Sequence, residues 1–201
     1  MIRKANYSDV EKITEIHFLS QVSGILGKLT ARSLKEYFYS PLIADQTILS
    51  TVEIDENEEI RGFLALRQYA NRKPFSLPYK NLILVKELLF LIIKSPQSIF
   101  LMLNILKTER KVFQKIKKLP NDFAEIQILI VRKNAQGYGI GSELIERVIK
   151  ETKETEILVK TQSTKAVEFY KKHGFVESMK SSVANTTIFV LEYRGGTRNV
   201  N

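Results

Sequence analysis

No cysteine occurs in the 201 residues, and histidine occurs only as His17 and His173. The first absence excludes disulfides, thiolate metal sites and a cysteine nucleophile, and it removes any need for an oxidising compartment. Two histidines so far apart offer no ligand pair, so no metal site is expected. A long uncharged apolar run is also missing. The best candidate, Leu82 to Ile93, is interrupted by Lys86 and Glu87 and closed by Lys94, well short of the roughly 18 to 20 residues that a membrane helix needs. The start, MIRKANYSDVEK, has no signal-peptide apolar core, which makes the cytoplasm the expected compartment.

Charge is present but unevenly spread. The chain carries 31 Lys and Arg against 22 Asp and Glu, for a net charge of +9. Between Arg72 and Lys118 eleven basic residues meet two acids, Glu87 and Glu109, whereas the rest of the chain balances twenty against twenty. An excess gathered in one stretch marks either an anionic partner or a solvated face. Nucleic acid is not expected there, because aromatic residues are few and interleave poorly with the charges.

The length suits one core, so a single domain over 1–193 is expected, with RGGTRNVN at 194–201 as a mobile tail. Ile2 to Ala5 reads as a strand. Ser8 and Glu11 stand at capping-box spacing ahead of a helix over about 9–20, in which Val10, Ile13, Ile16 and His17 follow helical periodicity. Thr30 caps a second helix with Leu34, Tyr37 and Phe38 on one face, and Thr47 to Glu53 and Ile60 to Arg67 form a hairpin around DENEE. Residues 70–120 read as a helical hairpin inserted before the central strand. After the loop NRKPFSLP comes an apolar arm, Leu82 to Ile93, and Ser95-Pro96 restarts a helix. That second arm is striped with Ile99, Leu103, Leu106 and Phe113, and Lys107, Arg110, Lys111, Lys115, Lys117 and Lys118 crowd its later turns. Two roles stay open for it: a packed lid with a solvated basic face, or a cover that draws an anionic molecule or the surface of an anionic membrane. Its apolar content also makes a homo-oligomer plausible.

The chain is organised around Phe123 to Ile149. Ala124 to Val131 is apolar at almost every position, as in a strand buried on both faces. Gln136, Gly137, Tyr138, Gly139, Ile140, Gly141 and Ser142 follow, and then Leu144, Ile145, Val148 and Ile149 recur at helical spacing. A strand, a glycine loop and a helix start make an anion site, since the first helix N–H groups lack intrahelical partners and the macrodipole is positive there. The dinucleotide spacing fails, because Ser142 lies three residues past Gly139 and Leu144 three past Gly141, and no Gly-Lys-Ser/Thr ending is present.

What remains, Gln136-x-x-Gly139-x-Gly141 after Leu129-Ile130-Val131, resembles the acyl-CoA loop of the GNAT superfamily of N-acetyltransferases. A second stretch, STKAVEFYKKHGFV at 163–176, resembles that family's other signature, with Ala166, Phe169, Tyr170, Gly174 and Phe175 on the matching positions. Ser163 stands where many members carry Asn, which implies a weaker contact with the cofactor. The resemblance implies an α/β fold, in which a central mixed, twisted sheet of about six to seven strands is flanked by helices. It also implies acetyl-CoA as cosubstrate, with its diphosphate on the main chain of 137–142 and its pantetheine arm paired to the edge at Leu129, Ile130 and Val131.

The implied reaction moves an acetyl group to a primary amine, either of a small molecule, an amino sugar for example, or of a protein. Tyr170 falls on the position that in many members protonates the departing thiolate; the alternative is packing beside Phe169. Glu125, early on the central strand, is the candidate base for the amine, or a carboxylate that orients the acceptor or pairs with a Lys. His17 reads as a structural histidine on an apolar helix face, and His173 as a capping charge at a helix end. The rival function is a binding module that keeps the acyl-CoA site without turnover.

Overall fold

The structure, a computed structural model, describes residues 1–20, 26–69, 92–93, 96, 98–116, 123–152, 156–183 and 185–194. The NRKPFSLP loop, the apolar arm at Leu82 to Ile93 except its last two residues, and the tail beyond Arg194 lie outside the described residues. Seven strands form one sheet: β1 (Ile2–Lys4), β2 (Ile48–Ile54), β3 (Ile60–Tyr69), β4 (Phe123–Val131), β5 (Glu156–Thr161), β6 (Val176–Val183) and β7 (Thr186–Tyr193), in the order β1-β2-β3-β4-β5-β7-β6. Only β4 and β5 pair in parallel; the other neighbours are antiparallel. The expected α/β architecture is therefore the observed one. Strand β4, central in this order, has no exposed residue, which is why its sequence is apolar on both faces.

Helices cover both faces. On one side α1 (Val10–Leu19) and α2 (31–44) bury Ile13, Ile16, Leu34 and Tyr39 against Phe63, Ala65, Ile128 and Ile130. On the other, α4 (Ile140–Glu151) and α5 (Thr164–Lys172) bury Leu144, Ile145, Val148 and Val167 against Leu64, Leu66, Ile126 and Val159. Helix α3 (Ser98–Ile116) packs on β6 and β7. Among the described residues no helix is long and apolar enough to cross a membrane. Gly62 of β3 lets α4 approach closely: a Cβ there would meet Ile140 Cγ2 at 2.7 Å and Leu144 Cδ1 at 3.0 Å.

Local details depart from the sequence reading in three places. The capping box begins at Asn6, not Ser8: Asn6 Oδ1 accepts from Ser8 N at 2.9 Å and Asp9 Oδ2 from Asn6 N at 2.8 Å. Arg3 decides the register, because it grips both Asp9 oxygens at 2.7 and 2.8 Å and so holds that carboxylate at the helix entry. In α2, capped by Thr30 as expected, Leu34–Tyr39 is π-helical. The wider turn brings i and i+5 onto one face, so Leu34 and Tyr39 are the fully buried pair, while Tyr37 and Phe38 are only partly buried. In α3 the apolar stripe faces outward, with Ile99 42%, Leu103 49% and Leu106 57% exposed. Its buried residues, among those described, are the polar Asn104 and Thr108. Buried Asn104 donates to Thr186 O at 2.6 Å and to Ser181 O at 3.3 Å, and accepts from Ser181 Oγ at 3.1 Å.

Candidate active site

Strands β4 and β5 pair only from Phe123↔Glu156 to Ile126↔Val159. Beyond that, β4 stays on β3 through Val131, while β5 continues to Thr161 on β7. The cause of the parting is visible in the ladder. Ala65 pairs Ile128 and Leu66 pairs Ile126, so Gln127 is an extra residue, a bulge that bends β4. Main-chain groups of 127–131 on the β5 side thus have no strand partner among the described residues.

A cavity of about 470 Å³ occupies this fork. Residues 127–131 form one wall and 160–163 the other. Ala166 and Tyr170 of α5 border it, as do Ser20 at the end of α1 and Ile105 and Thr108 of α3. A second cavity of about 490 Å³ adjoins it at the glycine loop and the start of α4. Among the loop residues singled out in the sequence, all but Tyr138, 78% exposed, line the second cavity. Gly137 (φ +88°) and Gly139 (φ +83°) carry left-handed backbone, and a Cβ at either would have nothing within 4 Å, so φ and not space requires glycine there. Gly139 is the N-cap of α4, and the loop therefore delivers unpaired helix N–H groups to the cavity.

Gln136 braces the mouth of the fork, because its Nε2 donates to Val131 O at 3.1 Å, the carbonyl that Ser20 Oγ also reaches at 2.9 Å. Leu129, Ile130 and Val131 line the fork, and Ser163 lines it too while its Oγ caps α5 by accepting from Ala166 N at 3.3 Å. Tyr170 borders both cavities and is 5% exposed, and burial raises its phenol pKa above the usual tyrosine value. Glu125 lies behind the wall, not on it. Lys160 Nζ sits 2.6 Å from its Oε1 and Tyr69 Oη donates to its Oε2 at 2.9 Å, so both oxygens are engaged.

The histidines stand apart from this chemistry. His17 is 1% exposed with Nδ1 2.6 Å from Tyr39 Oη, and burial lowers its pKa, partly offset by a backbone contact at Leu26. His173 Nδ1 lies 2.8 Å from Phe169 O at the end of α5.

Three residues that line these cavities carried no motif in the sequence: Gln127, Lys160 and Lys165. A signal exists for two. Lys160 is the one charge between the apolar ILV of β5 and the strand's end, and Lys165 places a cation in the first turn of α5, against the macrodipole preference. Nothing in the sequence marks Gln127 as a bulge.

The model of the acetyltransferase (GNAT) domain family matches residues 105–194. No curated protein matches the sequence. Among solved structures, the chain is similar to the histone acetyltransferase HPA2 and related acetyltransferase from Corynebacterium glutamicum, at 14% identity and a TM-score of 0.61 over 100% of this chain and 98% of that one. It is similar to PaiA N-acetyltransferase from Thermoplasma acidophilum in complex with coenzyme A, at 17% identity and a TM-score of 0.56 over 96% and 98%. It is also similar to NAA60 from Arabidopsis thaliana in complex with acetyl-CoA, at 13% identity and a TM-score of 0.58 over 96% and 97%. At these identities the likeness speaks for the fold.

Proposed function

We propose that this protein is an N-acetyltransferase using acetyl-CoA and a primary amine, a reading supported by the match of residues 105–194, which hold the glycine loop and both walls of the fork, to the GNAT acetyltransferase domain model. The single observation that carries the reading is the fork: an open strand edge at 127–131 running to a glycine-capped helix start, with a buried tyrosine between them. The residues present fit acetyl-CoA. The N–H groups of the loop and of α4's first turn, with Lys165 beside them, suit a diphosphate. The open edge of β4 suits the amides of an extended arm, as an added strand would.

Acetyl-CoA supplies an acetyl group on a thioester. The protein's task is to bring a neutral amine to that carbonyl, so that the C–N bond forms as the C–S bond breaks. Tyr170 Oη holds its proton throughout the neutral range, because burial raises its pKa, and it donates that proton to the departing sulfur. The amine's own proton leaves to solvent. With both oxygens engaged, Glu125 acts as an orienting carboxylate that fixes Lys160 in the wall of the fork. The acceptor is an amine of a small molecule, an amino sugar among the candidates, or of a protein. A binding module without turnover has less support, since Tyr170 borders both cavities.

The test is calorimetry with coenzyme A together with thiol release from acetyl-CoA across amino sugars, polyamines, amino acids and peptides. Binding with amine-dependent thiol release is expected. Binding without release for any amine supports the module, and no heat at all overturns the reading.

A further inference from the structure

The cavity in the fork reaches both sides of the sheet, and its two ends differ. Ile126, Leu129, Val131, Ala166 and Tyr170 belong to the core under α4 and α5, the side of the glycine loop. Ile128 and Ile130 belong instead to the core under α1 and α2, and Leu26 packs against it. Ser181 fixes the side taken by α3. It stands cross-strand from Ile188, and its Oγ donates to Asn104 Oδ1, so α3 lies on the side of Ile188. Ile188 shares its face of β7 with Val190, which packs with Tyr69, and Tyr69 shares its face of β3 with Phe63 and Ala65. Helices α1, α2 and α3 therefore stand on one side of the sheet, and the cavity extends there between the end of α1 and the middle of α3.

Resting on the acetyltransferase reading above, with coenzyme A on the glycine-loop side, we infer that the end of the cavity under α1 and α3 is the acceptor chamber, and that it takes a primary amine on an apolar body, an aralkyl or branched alkyl amine. Leu26, Ile105, Ile128, Ile130 and Ile188 supply apolar wall on that side. Ser20 Oγ donates to Val131 O at 2.9 Å and Thr108 Oγ1 to Asn104 O at 2.7 Å. Each hydroxyl thus keeps lone pairs for a ligand, which accept from an amine N–H and repel a carbonyl or carboxylate oxygen. Among the described residues no Asp or Glu lines the fork. Lys160, cross-strand from Val190 and so on this same side, is ion-paired with Glu125 and is no partner for a second ammonium. A polyamine would bury its far cation, and an amino sugar its hydroxyls, against leucine and isoleucine. A peptide N-terminus would bring main-chain carbonyls at the same cost.

The experiment titrates acetylated products into the coenzyme A-saturated protein by calorimetry, so that its readout is binding and not turnover. N-acetylphenethylamine is compared with N-acetylputrescine, N-acetylglucosamine and N-acetylphenylalanine methylamide, the last standing for a peptide. N-acetylphenethylamine binds about tenfold or more tightly than each of the others. Ile105→Glu sets a carboxylate in the chamber and cuts the lead over N-acetylputrescine to below about threefold while coenzyme A affinity is kept. Ile105→Ala, the milder change, weakens N-acetylphenethylamine by about threefold or more and leaves N-acetylputrescine where it was. Leu103→Glu, on the outward face of α3, alters neither. Comparable binding of all four, tighter binding of any other, binding of none, a preference that survives both Ile105 variants, or an equal loss in Leu103→Glu overturns the inference and leaves the acetyltransferase reading standing. No heat with coenzyme A itself overturns that reading, and this inference with it.

Discussion

Glu125 and Lys160, on neighbouring parallel strands, hold each other at 2.6 Å where those strands begin to separate. The pair sits at the point of the sheet where hydrogen bonding between β4 and β5 ends, so the ion pair takes over from the ladder.

Breaking it has a distinct signature. Glu125→Gln takes the buried carboxylate away from Lys160 and Tyr69, at a cost of about 3 kcal/mol in unfolding free energy by denaturant titration. It raises KM for the amine while coenzyme A affinity stays put. A loss confined to kcat, with a displaced acid limb of the pH profile, would instead make Glu125 the base.

Tyr170→Phe keeps the ring and removes the proton donor, and kcat falls about 100-fold in thiol-release assays. Because the phenol's pKa is raised by burial, the wild-type rate shows no decline from loss of this proton at neutral or mildly alkaline pH. Unchanged turnover by a folded Phe variant would reduce Tyr170 to a packing residue.

Gly139→Ala tests the loop. The left-handed φ costs about 1–2 kcal/mol for a side chain even with open space around it, and the shifted helix start weakens coenzyme A binding by calorimetry. Gly139→Asn, which tolerates that φ better, retains more of both.

His17 makes stability depend on pH. Its folded pKa lies below the ordinary value because the ring is buried, so the unfolded chain binds a proton that the folded one refuses. Stability is complete above about pH 6.5 and falls as the pH drops below it. Thermal melts from about pH 7.5 to about pH 5 show this slope, and His17→Gln flattens it. An unchanged slope would exclude His17 as its source.

Helix α3 turns Ile99, Phe100, Leu103 and Leu106 outward and follows them with exposed Lys107, Arg110 and Lys111. Such a face binds anionic vesicles at low salt, each cation adding about 1 kcal/mol, and releases them as salt rises. Changing Lys107, Arg110 and Lys111 together to Glu abolishes flotation. Failure of the wild type to float at either salt would leave the face merely solvated.

Much of this was legible in the residues. Strand β4, the glycine loop, α4 and α5 follow from the apolar run, the glycines and the helical spacing, each a short-range signal. Gly174, at φ +83°, stands where the end of α5 needs it. The bulge at Gln127 was illegible, because nothing about a glutamine marks an extra residue, yet it decides where the fork opens. The inward face of α3 was hidden for another reason. Asn104 is held by Ser181 and Thr186, 77 and 82 positions away in the chain, whereas periodicity sees only apolar residues. The π-helical turn in α2 likewise shifts the buried aromatic by one position, to Tyr39.

The bare Cα of Gly62 sets the thickness of one layer of this protein. A methyl group there would act as a shim under the first turn of α4, tilting the helix end by tenths of an ångström and with it every amide the loop presents. On the proposed reading, affinity for a diphosphate is thus gauged from the opposite side of the helix, by a residue that lines neither cavity.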